Sequence, residues 1–349
     1  MELRAAHAAE RDEVLDLLAL WYGDRGFFAR YNLNDPRFRD ELCLVAREGG
    51  RLIATAQIFD RRIRLDGHAV AAGALGSVFT HPDYRGRGVG SALISLALAT
   101  MEREGFEVSL LFSDRLNFYA CFGWRSVPRI ISIVSPLPRG RLASSLALRR
   151  FERGRDLAQV SQIYDQYSGR FNTAVVREPS YWLGNLAYAG NPDEFFVVAA
   201  NEKSPTAPVA AYARVIRYYR LPAVMEYGYA PGGEGAMAAL FAELLALASG
   251  RGHQAALARY SEAALLKPAG SADQAAGLLT QTAHDPALEK LLAQMGFSLS
   301  YYTEVNYMWR VVNQARVAAR LGWGDAEVTQ NLFSLISSKD ALFWTADRF

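Results

Sequence analysis

The sequence predicts a mixed α/β layer fold that occurs twice in tandem and closes with a short helical tail. Three observations carry that expectation. A strand-rich start is followed by a strand–helix–strand pattern, the signature of helices laid on a sheet. The second half repeats the landmarks of the first. The chain is also long and apolar enough for two cores, with 349 residues, 51% hydrophobic and 12% aromatic, which excludes a disordered or fibrous protein.

The elements follow in order. Val14, Leu17, Leu18 and Trp21 recur at helical spacing among Arg11, Asp12, Glu13 and Asp16, predicting an amphipathic first helix. Cys43–Ala46 and Leu52–Phe59 read as strands around a Gly49-Gly50 turn. A strand is expected near Ala74–Thr80, then a buried helix over Gly88–Arg103 on Val89, Leu93, Leu96, Ala97 and Thr100. Strand Val108–Phe112, a short helix around Leu116–Phe122 and strand Arg129–Val134 complete the unit, punctuated by Pro136 and Pro138.

The second half is a worn copy. Leu148-Arg149 with the helical pattern Asp156–Tyr167 matches Leu3-Arg4 and the helix behind it, and Phe195–Ala200 parallels Cys43–Ala46. Aligning Arg103–Phe106 with Gly250–His253 sets an offset of 147, which places Gly86 on Gly233, Gly88 on Gly235 and Leu93 on Leu240. Met295-Gly296-Phe297 echoes Phe122-Gly123-Trp124 at an offset of 173, so an Ala/Gly-rich, loop-like insertion is expected in Leu266–Pro286. A repeat this long suggests two domains of one fold rather than a solenoid. Beyond Asn313, Ala315–Leu321 and Ala326–Ile336 read as helices too small to stand alone, which should pack on the rest. The expected division is 1–138, 139–312 and 313–349.

Charge narrows the function. With 38 basic and 36 acidic residues the net charge is +2, far from the basic excess of a protein living on duplex DNA. The 34 Arg against 4 Lys fit GC-rich coding better than phosphate binding. The longest stretch without Asp, Glu, Lys or Arg, Gly67–Pro82, is 16 residues, too short to cross a membrane. The N-terminus has acidic residues early and no signal-like apolar core. Cys43 and Cys121 are too few and too far apart for a disulfide framework or metal site. A cytoplasmic protein with no metal, nucleic-acid or membrane partner is expected.

The chemistry lies in Val78-Phe79-Thr80-His81-Pro82-Asp83-Tyr84-Arg85-Gly86-Arg87-Gly88-Val89-Gly90-Ser91, a strand, a glycine-rich turn and a helix start. Helix N-termini welcome anions, because their first N–H groups lack partners and the dipole end is positive. Gly86, Gly88 and Gly90 let a pyrophosphate approach the backbone, and Arg85 and Arg87 can add charge-assisted bonds. A dinucleotide-binding turn fits poorly, since the spacing is G-x-G-x-G without a distal ribose acid. A P-loop would need a Gly-Lys-Ser/Thr ending, and a plain glycine turn has no need of two arginines.

Arg85–Gly90 resembles the R-x-x-G-x-G/A acyl-CoA signature of the GCN5-related N-acetyltransferases (GNAT). The Val-x-Thr strand before it, Pro82-x-Tyr84, and Phe118-Tyr119-Ala120-Cys121-Phe122-Gly123-Trp124 downstream strengthen the match. The resemblance implies acetyl-CoA as co-substrate, a pantetheine arm paired to the Val78–Thr80 backbone, and pyrophosphate held from Gly86 through Val89 to Ser91. By spacing from Tyr119, Asp114 and Arg115 would border the thioester.

Acetyl transfer to an amine needs a neutral nucleophile, a polarised carbonyl and a proton for the departing thiolate. Tyr119 suits the last task, since a phenol near its ordinary pKa of about 10 matches a thiolate leaving group. Cys121 sits in an apolar run without a His partner, so packing is expected for it. His81 is a rival base with the neighbours of a turn residue.

At offset 147 the second copy replaces Arg85 by Gly232, Arg87 by Glu234 and Gly90 by Met237, so it should repel pyrophosphate. One active copy, one degenerate copy and a C-terminal extension resemble the Eis-type (enhanced intracellular survival) acetyltransferases. That resemblance implies homo-oligomers, including hexamers, and a terminal carboxylate, here that of Phe349, reaching back as general base. It departs from the type in its short third part, 37 residues where Eis proteins carry a sterol-carrier-like domain. Trp21–Phe28 falls where the acceptor loop of the family lies; its aromatics would hold an apolar or planar body and Asp24 would attract an ammonium group. The expected activity is acetyl transfer to a primary amine of a small-molecule or peptide acceptor. Protein lysine or N-terminal acetylation and a non-catalytic acyl-CoA sensor or scaffold stand as alternatives.

Overall fold

The computed structural model describes residues 1–135, 146–188, 194–201, 207–218, 221–248 and 277–347. The first unit runs β1 (Glu2–Ala5), α1 (Arg11–Tyr22), α2 (Arg25–Asn34), β2 (Cys43–Glu48), β3 (Arg51–Leu65), β4 (His68–Thr80), α3 (Val89–Arg103), β5 (Val108–Phe112), α4 (Leu116–Ala120), β6 (Arg125–Ser126) and β7 (Arg129–Ser135). The second runs β8 (Leu146–Arg150), α5 (Arg153–Tyr167), α6 (Pro179–Tyr188), β9 (Glu194–Asn201), β10 (Val209–Tyr218), β11 (Leu221–Tyr229), α7 (Glu234–Ala248), β12 (Leu278–Thr280), α8 (Pro286–Gln294), β13 (Ser298–Glu304) and β14 (Tyr307–Val311). Helices α9 (Gln314–Leu321) and α10 (Val328–Ile336) follow.

Two mixed seven-stranded sheets result. The first has the order β1-β2-β3-β4-β5-β14-β6 and the second, read from β8, the order β8-β9-β10-β11-β12-β7-β13. In each, four strands meander antiparallel, and a single parallel step follows, β4 to β5 or β11 to β12. The sixth strand of each sheet comes from the other half of the chain. β14 lies between β5 and β6, with Tyr307 opposite Phe112, and β7 lies between β12 and β13, with Ile133 opposite both Leu279 and Ser300. Arg129–Val134 is thus a strand as expected, yet it completes the second sheet rather than its own.

The helices cover the sheets along the predicted stripes. Val14, Leu17 and Leu18 of α1 are buried, while Trp21 is 55% exposed. On α3, Val89, Leu93, Ile94 and Ala97 are buried; on α7, so are Ala236, Leu240, Phe241 and Leu244, the same face at the offset of 147. Gly123 and Gly296, paired by the second offset, hold the same left-handed backbone, φ +89° and +90°. The insertion expected in Leu266–Pro286 lies outside the described residues up to 276, as do Pro136 and Pro138. Within its described part, Leu278–Thr280 is the parallel strand β12 rather than a loop, a three-residue run too short to show periodicity.

α9 and α10 pack Val317, Leu321, Val328, Leu332 and Ile336 on the first sheet with Val108, Leu110 and Trp309. Buried Glu107 anchors them, accepting from Ala71 N–H at 2.7 Å and from Arg320 Nε at 2.8 Å. Residues 342–347 then enter the seam between the units. Trp344 Nε1 donates to Ser168 Oγ at 2.9 Å, and Asp347 accepts from Arg177 Nε at 3.0 Å and Nη2 at 2.8 Å. Arg177 also donates to Glu226 and lies over the rings of Tyr164 and Trp182 at 4.0 and 4.4 Å. All three ionic side chains are fully buried. Burial pushes the Glu226 carboxyl up, but Arg177 and Arg214 more than offset this and hold it below its ordinary value. Asp347, with the Glu226 charge nearby, is driven above its own, chiefly by burial.

His284 shares this seam, buried against Phe171, Tyr227 and Trp344, and desolvation holds its imidazole down to about 3. The unfolded chain therefore binds a proton between about pH 6.5 and 3 that the folded chain refuses, so His284 costs stability as pH falls through that window. In chemical denaturation from pH 7 to 4, His284→Gln is expected to lose less stability than wild type. Parallel losses would mean that His284 does not titrate on unfolding.

Candidate acyl-CoA cleft

The cleft opens where β4 and β5 part company. Their parallel pairing ends at Leu75–Leu111; from Gly76 onward β4 pairs with β3 alone, while Phe112 turns to Tyr307 on β14. A bulge on β4, where Ser77 and Val78 together oppose Ala56 of β3, accompanies this divergence, with Ser77 at φ +50°. The β5-facing backbone groups of Gly76–Thr80 therefore border a cavity of about 620 Å³. An extended ligand can add to such an edge as a further strand.

The far end of this edge meets the glycine turn. Gly86 and Gly88 sit at φ +75° and +78°, and a Cβ added at either would meet nothing within 4 Å, so the glycines serve backbone conformation rather than close packing. Gly88 caps α3 without any side-chain acceptor, leaving the first-turn N–H groups directed at the cavity. Arg85 donates Nε to the Thr80 carbonyl at 3.1 Å and lies over Trp21 and Phe79 at 5.2 and 5.5 Å.

Most of the expected residues meet here. Val78, Phe79, Thr80, Arg85, Gly86, Gly88, Val89, Gly90, Ser91, Asp114, Arg115 and Tyr119 all line the cavity. Arg87 does not: its guanidinium lies 5.0 Å over Tyr84 and 3.9 Å from Glu48. Phe349 lies outside the described residues. Tyr119 is buried at the inner end, edge-on to Phe118 and Trp124. Phe112, Ser113 and Ser77 also line the cavity and escaped sequence reasoning, since the parting of two strands is a long-range event without local signature.

Two side chains behave otherwise than their neighbours suggested. Cys121 is exposed rather than packed, because it ends the single turn of α4, and its thiol points to the Asn117 carbonyl at 3.2 Å. Asp24 accepts from Phe27 N–H at 2.9 Å and so caps α2 rather than standing free. His81 is the turn residue expected, accepting from Asp83 N–H at 3.3 Å with Arg51 at 2.8 Å from its other nitrogen. Cys43 is buried, and desolvation pushes its thiol up to about 12, far from a usable nucleophile.

In the second sheet the corresponding opening is filled. Loop residues His284 and Asp285 after β12, Tyr167 of α5 and Trp344 of the tail pack with Tyr227 and Tyr229 of β11.

Comparison with known proteins matches this geometry. A model of the acetyltransferase (GNAT) domain matches residues 2–127. The fold of a GCN5-related N-acetyltransferase from Kribbella flavida superposes with a TM-score of 0.58 at 19% identity, over 91% of this chain and 73% of that one. Eis1 from Mycobacterium abscessus gives 0.56 at 16% identity, over 92% and 76%. Saccharomyces cerevisiae N-myristoyltransferase, solved with bound myristoyl-CoA, gives 0.52 at 13% identity, over 88% and 79%. No curated protein sequence matches. The first unit is thus an acetyltransferase (GNAT) domain by sequence and by fold. Residues 2–127 belong to the GNAT domain family, and the fold of the chain is similar to those of GNAT proteins, Eis1 among them. Among the described residues, no helix is long and apolar enough to cross a membrane.

Proposed function

We propose that the chain transfers an acetyl group from acetyl-CoA to a primary amine of a small-molecule or peptide acceptor, by direct attack in a ternary complex. The observation that carries this reading is the unpaired edge of β4 from Gly76 to Thr80, running from the α3 N-terminus to Tyr119 inside one cavity. When bound, acetyl-CoA supplies an activated acyl carbonyl. The Gly86–Ser91 backbone holds its pyrophosphate, the Val78–Thr80 backbone aligns its arm, and Asp114 and Arg115 border its thioester end. The neutral amine attacks the carbonyl carbon, a C–N bond forms, the C–S bond breaks, and Tyr119 gives its proton to the departing sulfur. The terminal carboxylate of Phe349 removes the proton from the amine. In support, the tail reaches the cleft wall, with Phe343 at 5.6 Å from Phe112. The second unit, its opening filled, acts as a non-catalytic partner domain, within the division 1–138, 139–312 and 313–349. A cytoplasmic homo-oligomer belongs to the same reading.

A thiol-release assay against aminoglycosides, polyamines and lysine peptides tests it. Release with lysine peptides alone would favour a protein acetyltransferase. Acetyl-CoA binding without release would favour a sensor. The two arginines of the turn should differ in calorimetric titration with acetyl-CoA. Arg85→Ala, which loses a cation facing the cavity, is expected to weaken binding about tenfold, as for a charge-assisted hydrogen bond. Arg87→Ala should weaken it less than about threefold, because a side chain held on the surface contributes little. Equal losses would place Arg87 on the pyrophosphate after all.

A further inference from the structure

We propose that Phe112, braced by Tyr307 and Phe343, is the wall that limits the acyl group to acetyl or propionyl. The inference rests on the acyl-CoA reading of the cleft and adds the chemical class of donor it takes. With pyrophosphate at the α3 N-terminus and the arm along β4 from Thr80 towards Gly76, the thioester arrives at the apex where β4 and β5 part. The residues there are Leu75, Gly76 and Phe112, all lining the cavity.

Phe112 cannot yield easily. Its ring stacks on Tyr307, the residue opposite it across β5 and β14, with centroids 4.8 Å apart and planes 19° apart. Phe343 touches both rings and completes a three-ring cluster, 5.6 Å from Phe112 and 5.4 Å from Tyr307. The Arg129 guanidinium covers both rings, 5.1 Å from the Phe112 centroid and 5.5 Å from that of Tyr307. Arg129 is itself tied to Glu304 at 2.8 Å and to the Phe343 carbonyl at 3.3 Å. Close packing of this kind rejects added volume instead of deforming.

Behind the wall the molecule is not solid. A second cavity of about 130 Å³ lies at the seam, lined by Tyr307, Phe343, Thr173, Gln281 and His284 among others. Tyr307 and Phe343 thus face this seam cavity while their rings pack against Phe112, which faces the cleft. The space for a longer acyl chain exists, and Phe112 with its two braces bars the way to it.

The test is a donor series of acetyl-, propionyl-, butyryl- and hexanoyl-CoA, read both as dissociation constants and as kcat/KM in thiol release. Wild type is expected to lose about tenfold or more for each methylene beyond propionyl, the discrimination a closed apolar pocket achieves. Phe112→Ala should raise the hexanoyl-to-acetyl ratio at least about a hundredfold by opening the volume of the Phe112 ring to the cleft, and Phe112→Leu should fall between. If Phe112→Ala does not fold, the wild-type cut-off and the Phe112→Leu ratio decide. Hexanoyl-CoA handled by wild type within tenfold of acetyl-CoA would overturn the wall, as would an unchanged ratio in the folded variants. Absence of acetyl-CoA binding in wild type would instead remove the underlying reading of the cleft, and the wall with it.

Discussion

Replacing Tyr119 by Phe is expected to lower thiol release from acetyl-CoA by about 10²–10⁴-fold, the usual contribution of a positioned general acid. The change deletes one hydroxyl from a ring packed between Phe118 and Trp124, so the fold and the cleft should survive it. Acetyl-CoA affinity by titration calorimetry should therefore stay within about twofold, since the binding groups belong to the β4 edge and the α3 turn. Removing Phe349 gives the complementary result if its carboxylate takes the amine proton: slower turnover at saturating amine, with the loss shrinking as pH rises and the free amine fraction grows. Unchanged turnover in Tyr119→Phe would take the acid role away from this residue. Unchanged turnover in the truncated chain would leave the tail a structural element only.

The second large effect concerns stability. Arg177→Met leaves buried Asp347 without its cation and Glu226 with Arg214 alone, and breaking a buried ion pair in this way costs about 3–5 kcal/mol. Met keeps the unbranched apolar stem but lacks the guanidinium that lies over Tyr164 and Trp182, so lost ring contact adds to the lost charge. Urea denaturation should show a clearly lower midpoint with little change in slope. A midpoint equal to wild type would mean that water reaches the cluster and solvates the orphaned carboxylate. Because Asp347 belongs to the tail, the same variant should also expose Trp344, giving a red-shifted tryptophan emission before global unfolding.

Much of the first unit was legible because its signals are local. Val89, Leu93, Ala97 and Thr100 mark one helical face, and Gly49-Gly50 turns between two runs of apolar residues. The glycine turn was readable for the same reason, since left-handed backbone at Gly86 and Gly88 demands that residue type. What stayed hidden depends on partners far along the chain. Nothing in Arg129–Ser135 says that it pairs with Ser298–Glu304 and Leu278–Thr280 instead of β5. Phe112 reads as the end of a strand, and its place in the cleft appears only once Tyr307 and Phe343 are beside it. Arg87 was assigned by motif, but a motif fixes where a backbone runs more firmly than where a long flexible side chain settles. The buried cluster of Arg177, Glu226 and Asp347 was equally invisible, being assembled from three separate segments.

The exchange of sixth strands has a consequence for how the protein is made. The first sheet lacks its strand between β5 and β6 until Tyr307–Val311 has been synthesised, and the wall of the cleft waits longer still, for Phe343. A ribosome that has delivered every residue of the glycine turn and Tyr119 still carries a chain whose β5 has one bare edge, an invitation to wrong pairing. Translation must pass Phe343 before the cleft is whole. Truncated messages then yield chains with the chemistry written in them and no means of performing it.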